Sequence, residues 1–444
     1  MYTLIGLLAA VYLSGAVPVP KFSLETSGGV FTSEDSPGIQ QLGFIYKIND
    51  DKDEHVGVAV KSDGTWRFTD PNLQSVKKVH FYTYVQFGIG DIVESPSQEW
   101  NFAPLATLPP RRMRGAVSFR DDFNGDKLDL NNWFVQVTAA GEWHTEFQVY
   151  TNDQRNLYVK NGHLYIKPTL TADSGHYSAK DLYSGILDVK NSWGVCTDAG
   201  FRGCLRDAKD GLLPPILSAR IDSKPTLKYG QVTVRAQIPR GDWIWPAIWM
   251  MPRKNNYGLW PRSGEIDFME AACNEHAVWN NGQKVGIQRV QSTLHFGPDL
   301  EHDHPVPNWK YKATGDWHGF HDYKLDWSPD HIILYVDGDV VTRMDIPDGS
   351  TVWDHYNLKG NNPWTHGTKI APFDHEFYMI LNVAVGGIYS MFGDYDTQYA
   401  YPKPWHNTDK DPLKNFWEAR HNWLPTWHGD DVAMIVDYVE FRHM

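Results

Sequence analysis

Ser263-Gly264-Glu265-Ile266-Asp267-Phe268-Met269-Glu270-Ala271 places three carboxylates within six residues, in a neighbourhood of Trp, Ile, Met and Pro. As a strand, Glu265 and Asp267 share one face while Ile266 and Phe268 take the other. Glu270 has the wrong parity for the acidic face, and one extra residue, a β-bulge near Phe268 or Met269, brings it back into line. Like charges crowded beside apolar residues are costly unless they are used. A solvated acidic edge is the bland alternative, and the apolar opposite face and the nearby indoles weigh against it. Retaining glycoside hydrolysis needs two carboxyls about 5 Å apart, a nucleophile and a general acid/base. A third between them can hold a shared proton and keep the two pKa values apart.

Upstream, Gly241-Asp242-Trp243-Ile244-Trp245-Pro246-Ala247-Ile248-Trp249-Met250 brings indoles to the acidic segment. Trp243 and Trp245 share strand parity, and Trp249 joins them unless Pro246 breaks the register. The reading adopted puts Trp243 and Trp245 toward the cleft as substrate-binding residues, with Trp249 partly buried beside the acidic strand. Indoles around the acids raise the acid/base pKa by desolvation, as a general acid working near neutrality requires.

A chain of 444 residues holds ample core for one large or two ordinary domains. Its 19 Trp exceed what a core requires, and flat apolar rings are natural platforms for sugar CH faces. A net charge of −13 argues against nucleic acid and anionic membrane surfaces, and a neutral polymer fits better. Leu4–Leu13 is a continuous apolar run followed by Ser14 and Ala16, which reads as a secretory signal peptide cut after Ala16, although its n-region lacks a basic residue. The run is too short to span a bilayer, so a secreted, monomeric protein without membrane insertion is expected. Of the three cysteines, Cys196 and Cys204 close a short Gly-containing loop and are expected to form a disulfide in an oxidising compartment. No His lies within that loop, which makes a metal pair the weaker reading. Cys273 is left as a buried small hydrophobe.

Residues 17–103 alternate in short runs, Gly43–Ile48, His55–Val60, Trp66–Thr69 and Val79–Gln86, separated by turn signals at Asn49-Asp50, Asp63-Gly64 and Asp70-Pro71. A small immunoglobulin-like β-sandwich is expected, with Trp66 in its core. Residues 104–115, with Pro109-Pro110, Arg111-Arg112 and Arg114, read as a linker. From 116 to 444 many strands and almost no helix point to a larger all-β domain, a jelly-roll β-sandwich. The run Glu301-His302-Asp303-His304 invites a metal reading that nothing downstream completes, and it is taken as a solvated loop.

Tyr229-Gly230-Gln231 through Arg235-Ala236, Gly241 to Met250 and Ser263 to Glu270 together resemble glycoside hydrolase family 16, in particular the animal β-1,3-glucanases and β-1,3-glucan-recognition proteins. The resemblance implies a jelly-roll domain acting on β-1,3-glucan with retention, with Glu265 as nucleophile, Asp267 as assisting carboxylate and Glu270 as acid/base. It implies no cofactor for catalysis. Glu146-Phe147-Gln148-Val149-Tyr150-Thr151 resembles the family's cleft floor, with Glu146 as a substrate-binding residue and Thr145 where many members carry Asn. Arg220, in Leu217-Ser218-Ala219-Arg220, is placed by the family at a subsite beside the nucleophile. Ser292–Gly297 resembles the strand next to the acids and puts His295 toward the cleft. Many members also hold a structural calcium ion, for which Asp122, Gly162 and Asp437 are the matching positions. The N-terminal module resembles carbohydrate-binding module family 39 through Pro37-Gly38-Ile39, Gly64–Phe68 and Phe81–Val85.

Two functions compete. One is endo-hydrolysis of β-1,3-glucan by double displacement, and the other is a non-catalytic glucan-recognition protein of innate immunity. Non-catalytic members of the family have lost the acidic pair, and this chain keeps all three carboxylates, which favours the enzyme. A purely structural lectin leaves the acidic row without purpose.

Overall fold

The computed structural model describes residues 20–25, 28–34, 41–48, 55–62, 65–70, 73, 78–86, 92–94, 98–101, 115–141 and 144–444. The expected signal segment, most of the expected linker and Pro37-Gly38-Ile39 lie outside the described residues. The chain divides into two compact units, residues 1–112 and 113–444.

In the first unit, Lys21–Glu25, Gly28–Glu34, Thr65–Asp70 and Val60–Ser62 make a four-stranded sheet. His55–Val58, Gln41–Ile48, Lys78–Gln86 and Ile92–Glu94 make a second, and Gln98–Asn101 also pairs with Lys78–Gln86. Phe31, Phe44, Tyr46, Trp66 and Phe81 are buried in one aromatic cluster, so Trp66 is a core residue. The rings of Phe31 and Phe44 lie 5.3 Å apart, within the range in which aromatic pairs attract beyond simple burial.

The second unit is a β-jelly-roll sandwich. Its eight-stranded sheet runs Leu157–Lys160, His163–Ile166, Met434–His443, Gly230–Gln237, Phe320–Trp327, His331–Val336 and Asp339–Asp345, with Val117–Asp121 added against Met434–His443. Its seven-stranded sheet runs Trp133–Gln136, Arg220–Leu227, Phe377–Val385, Ile244–Pro252, Glu265–Glu270, Arg289–His295 and Asn308–Tyr311. Strand parity sends one face of each sheet inward. Val232, Val234, Leu325 and Val436 from the first sheet join Ile248, Met250, Ile266, Leu294 and Leu381 from the second in one fully buried cluster. The seven-stranded sheet therefore has one face committed to the core and one face free to carry polar groups.

Cys196 and Cys204 are joined as expected, with Cα atoms 5.6 Å apart, and Cys273 is a buried free thiol. The stretch after Val385 carries more helix than its sequence announces, at Pro412–Glu418 and Arg420–Trp423. Phe416 and Trp423 from these helices pack with Phe147, Trp243 and Trp405 into a second core. At the proposed calcium positions, Asp122 is held by Arg120 at 2.9 Å, and Asp437 lies 3.1 Å from the Arg235 guanidinium and 3.8 Å from His163. Gly162 sits in a turn at φ 75°. Each of the two carboxylates faces an arginine, a pairing that a cation bound there would replace.

Candidate active site

Across the seven-stranded sheet, Ala247 faces Glu270, Ile248 faces Met269 and Trp249 faces Asp267. On the other side, His295 faces Glu265, Thr293 faces Asp267 and Gln291 faces Glu270. Phe268 has no counterpart on either neighbour. It is the extra residue of a bulge, and it returns Glu270 to the face of Glu265 and Asp267. Ile266, Phe268 and Met269 are fully buried, whereas Glu265 and Glu270 keep partial access to solvent. One register row follows across the open face through Gln136, Arg220, Asn382, Ala247, Glu270, Gln291 and Trp309.

The three carboxyls differ in what they accept. Glu265 Oε2 accepts the Trp260 indole N–H at 2.7 Å, and Glu270 Oε1 accepts that of Trp245 at 3.0 Å. Burial raises all three pKa values. For Asp267 the rise is large, because burial is reinforced by the charges of Glu265 and Glu270. The side-chain hydrogen bond between Asp267 and Glu265 raises the Asp267 pKa and lowers that of Glu265, so Glu265 is the member more easily ionised and Asp267 holds a proton more firmly. Its second oxygen is buried without a hydrogen bond, 3.6 Å from His295 Nε2. His295 faces the row as expected, with Nδ1 2.7 Å from Asp303. Burial pulls its pKa down, but the Asp303 hydrogen bond and the charges of Glu265 and Glu270 outweigh this, so the net shift is upward. Donor atoms of Glu265, Asp267 and His295 lie within 4.8 Å of one another, the one such group among the described residues. His295 Nδ1 is engaged by Asp303, and Glu265 and Asp267 hydrogen-bond each other, an arrangement suited to proton chemistry.

Trp245 is partly exposed and touches Glu270 directly. Trp249 is also partly exposed, donates to Asn382 at 2.7 Å and lies under the Arg220 guanidinium at 5.1 Å. Asn382 donates to Tyr150 at 3.0 Å, and Glu146 accepts from Gln148 at 2.6 Å and from Tyr150 at 3.4 Å. Glu146, Arg220 and Trp249 are thus joined in one network beside the acids. Arg220 is itself buried and paired with Asp222 at 3.0 Å.

Trp243 does not belong there. It is fully buried among Phe392, Tyr399, Tyr401 and Trp405. The strand starts only at Ile244, and Trp243 sits in the preceding turn at φ 66°, where strand parity has no force. The loop containing Asp303 also departs from expectation, since that carboxylate is partly buried against His295 instead of being solvated. Tyr150 lies in the stretch already compared with the cleft floor, whereas Trp260, Asp303 and Asn382 are site residues that strand parity could not find. Only Asn382 left a signal, as a lone polar residue inside an apolar strand.

The Trp245 contact gives a direct expectation. Its N–H stabilises ionised Glu270, so Trp245→Phe raises the Glu270 pKa further. A general acid must be protonated, so the alkaline limb of the kcat/KM profile moves to higher pH. Loss of one hydrogen bond to a charged group lowers kcat by about tenfold. Steady-state rates on a β-1,3-glucan across pH measure both.

The model of the family described as glycosyl hydrolases family 16 matches residues 144–359. The chain is 40% identical over 347 residues to a β-1,3-glucan-binding protein of Penaeus monodon, covering 73% of this chain and 90% of that protein. It is 30% identical to β-1,3-glucan-binding protein 1 of Manduca sexta, covering 95% of each. Among solved structures, the laminarinase from Rhodothermus marinus aligns with a TM-score of 0.47 and 22% identity, covering 74% of this chain and 97% of that one.

Proposed function

We propose, from the premise that this chain belongs to the animal branch of glycoside hydrolase family 16 alongside the β-1,3-glucan-binding proteins, that it is an endo-β-1,3-glucanase working by retaining double displacement. The observation that carries the reading is the Phe268 bulge, which sets Glu265, Asp267 and Glu270 on one open face with separate donors for the two outer acids. In the first step Glu265 attacks the anomeric carbon as Glu270 gives its proton to the leaving glycosidic oxygen. In the second, Glu270 takes a proton from water, which attacks the same carbon and releases Glu265. Asp267 keeps the shared proton beside Glu265, and burial holds Glu270 protonated to higher pH than a free glutamic acid. Glu146, Arg220, Trp249 and His295 orient the sugar around the acids. No step calls for a metal or an organic cofactor.

The disulfide supports secretion, since such bonds persist in oxidising compartments. No helix among the described residues is long and apolar enough to cross a membrane. The net charge of −13 suits a neutral polysaccharide better than a polyanion. The test is reducing-sugar release from laminarin by the full chain, with the first product followed by proton NMR. A β-anomer that mutarotates only later is the expected result. The names of the relatives favour one second reading, a recognition protein that holds glucan without cleaving it. Glucan binding without any sugar release would establish that reading in place of the first.

A further inference from the structure

Beyond the acids, on the side away from Arg220, lies a group that the mechanism above does not use. Arg289 is 7% exposed, and its guanidinium carbon lies 4.9 Å from the centre of the Trp279 ring and 5.9 Å from that of Trp309. The two rings are 6.2 Å apart at 89°, so they form a corner with the guanidinium in its angle. A charge so far withdrawn from water carries a desolvation cost, and burial does pull the Arg289 pKa down. A core has no need of a cation there.

The register fixes where this corner stands. Trp309 faces Gln291, which faces Glu270, and Arg289 faces Tyr311 on the same side of the sheet. Trp309 lies on the edge strand Asn308–Tyr311 and is 37% exposed, while Trp279 is partly exposed. The other end of the acidic row, around Glu265, is occupied by Trp260, His295 and Asp303. The corner is therefore the aromatic surface on the Gln291 side of Glu270, across from Trp245, and Arg289 is among the charges acting on that carboxyl.

We infer that Trp309 and Trp279, held by Arg289, form a sugar-binding subsite for the leaving-group side of a β-glucan chain, next to the acid that protonates the departing oxygen. Naming this the leaving-group side rests on the hydrolase reading, whereas sugar binding at the corner does not. A pyranose presents an apolar CH face that suits an exposed indole. Arg289 is a positioning residue, because its planar guanidinium fixes both rings in a way that a lysine ammonium does not.

The experiment compares laminarin with the β-fluoride of laminaribiose, whose leaving fluoride occupies no sugar subsite. In Trp309→Ala, kcat/KM on laminarin falls by about tenfold, as for loss of one aromatic anchor. On the fluoride it stays within about twofold, because no contact beyond Glu270 is used there. Trp309→Phe, which keeps an aromatic face, recovers most of the laminarin rate. Equal losses on both substrates, or no loss on either, overturn the subsite. If the wild type cleaves neither substrate, the hydrolase reading fails and the corner is judged by calorimetry with a laminari-oligosaccharide. Weaker binding by Trp309→Ala then supports a sugar site, and unchanged binding overturns it.

Discussion

Glu265→Ala removes at least about 10⁴ of the rate on laminarin, the scale of loss when a nucleophile that works as part of a unit is deleted. The loss follows from geometry, since no other carboxyl of the row can replace it. Asp267 is 2% exposed, with a pKa that burial and the neighbouring acids push well up, and Glu270 stands beyond the bulge with its own indole donor. Azide separates the roles of the two outer acids. With laminaribiosyl fluoride, azide enters the space vacated in Glu265→Ala, reaches the anomeric carbon from the nucleophile's side and gives the α-glycosyl azide. In Glu270→Ala, Glu265 still forms the glycosyl-enzyme, so azide attacks from the opposite side and gives the β-glycosyl azide. NMR of the azide products reads the anomer directly. A β-azide from Glu265→Ala would exchange the assignments of nucleophile and acid/base.

The largest effect on stability is expected at Trp243. Truncating a fully buried Trp to Ala costs about 3–5 kcal/mol, and Trp243 touches four other rings of the second core. Its backbone at φ 66° adds a sharper expectation. Only glycine takes up that conformation without a penalty of about 1–2 kcal/mol. Trp243→Gly is therefore at least as stable as Trp243→Ala, the reverse of the order in ordinary strand interiors. Thermal unfolding of the two variants measures the order. A cleft platform for sugar would instead leave the melting temperature unchanged and raise KM.

Trp243 also shows how far the sequence could be read. The acidic row was legible because strand alternation is strict and its one violation, at Glu270, had a single-residue remedy. The same alternation misplaced Trp243, because it was extended one residue past the start of the strand into a turn. Trp245 and Trp249 lie inside that strand and reach the open face. Asp303 and Trp260 were out of reach for a different reason. Each comes from a segment outside the regular strands, and no local period reports where such a segment returns. Asp303 arrives because His304 N–H and Val306 N–H bond back to Phe296 and Leu294, a long-range pairing invisible in composition. The helices at Pro412–Glu418 and Arg420–Trp423 were hidden by an abundance of Trp and Pro that reads as irregular chain.

Phe268 acts on the Glu265 strand as an inserted letter acts on a reading frame. Everything after it is read one position out of phase with what comes before. Were the same residues held in strict alternation, with no bulge at Phe268, Glu270 would turn its carboxylate into the apolar interior, and Met269 would be sent to the sugar-facing side. The chain would still spell all its acids and all its indoles. A relative can therefore lose catalysis by straightening that bulge with every chemically active side chain in place, and counting carboxylates is a poorer guide to activity in such proteins than the pairing of the strand that carries them.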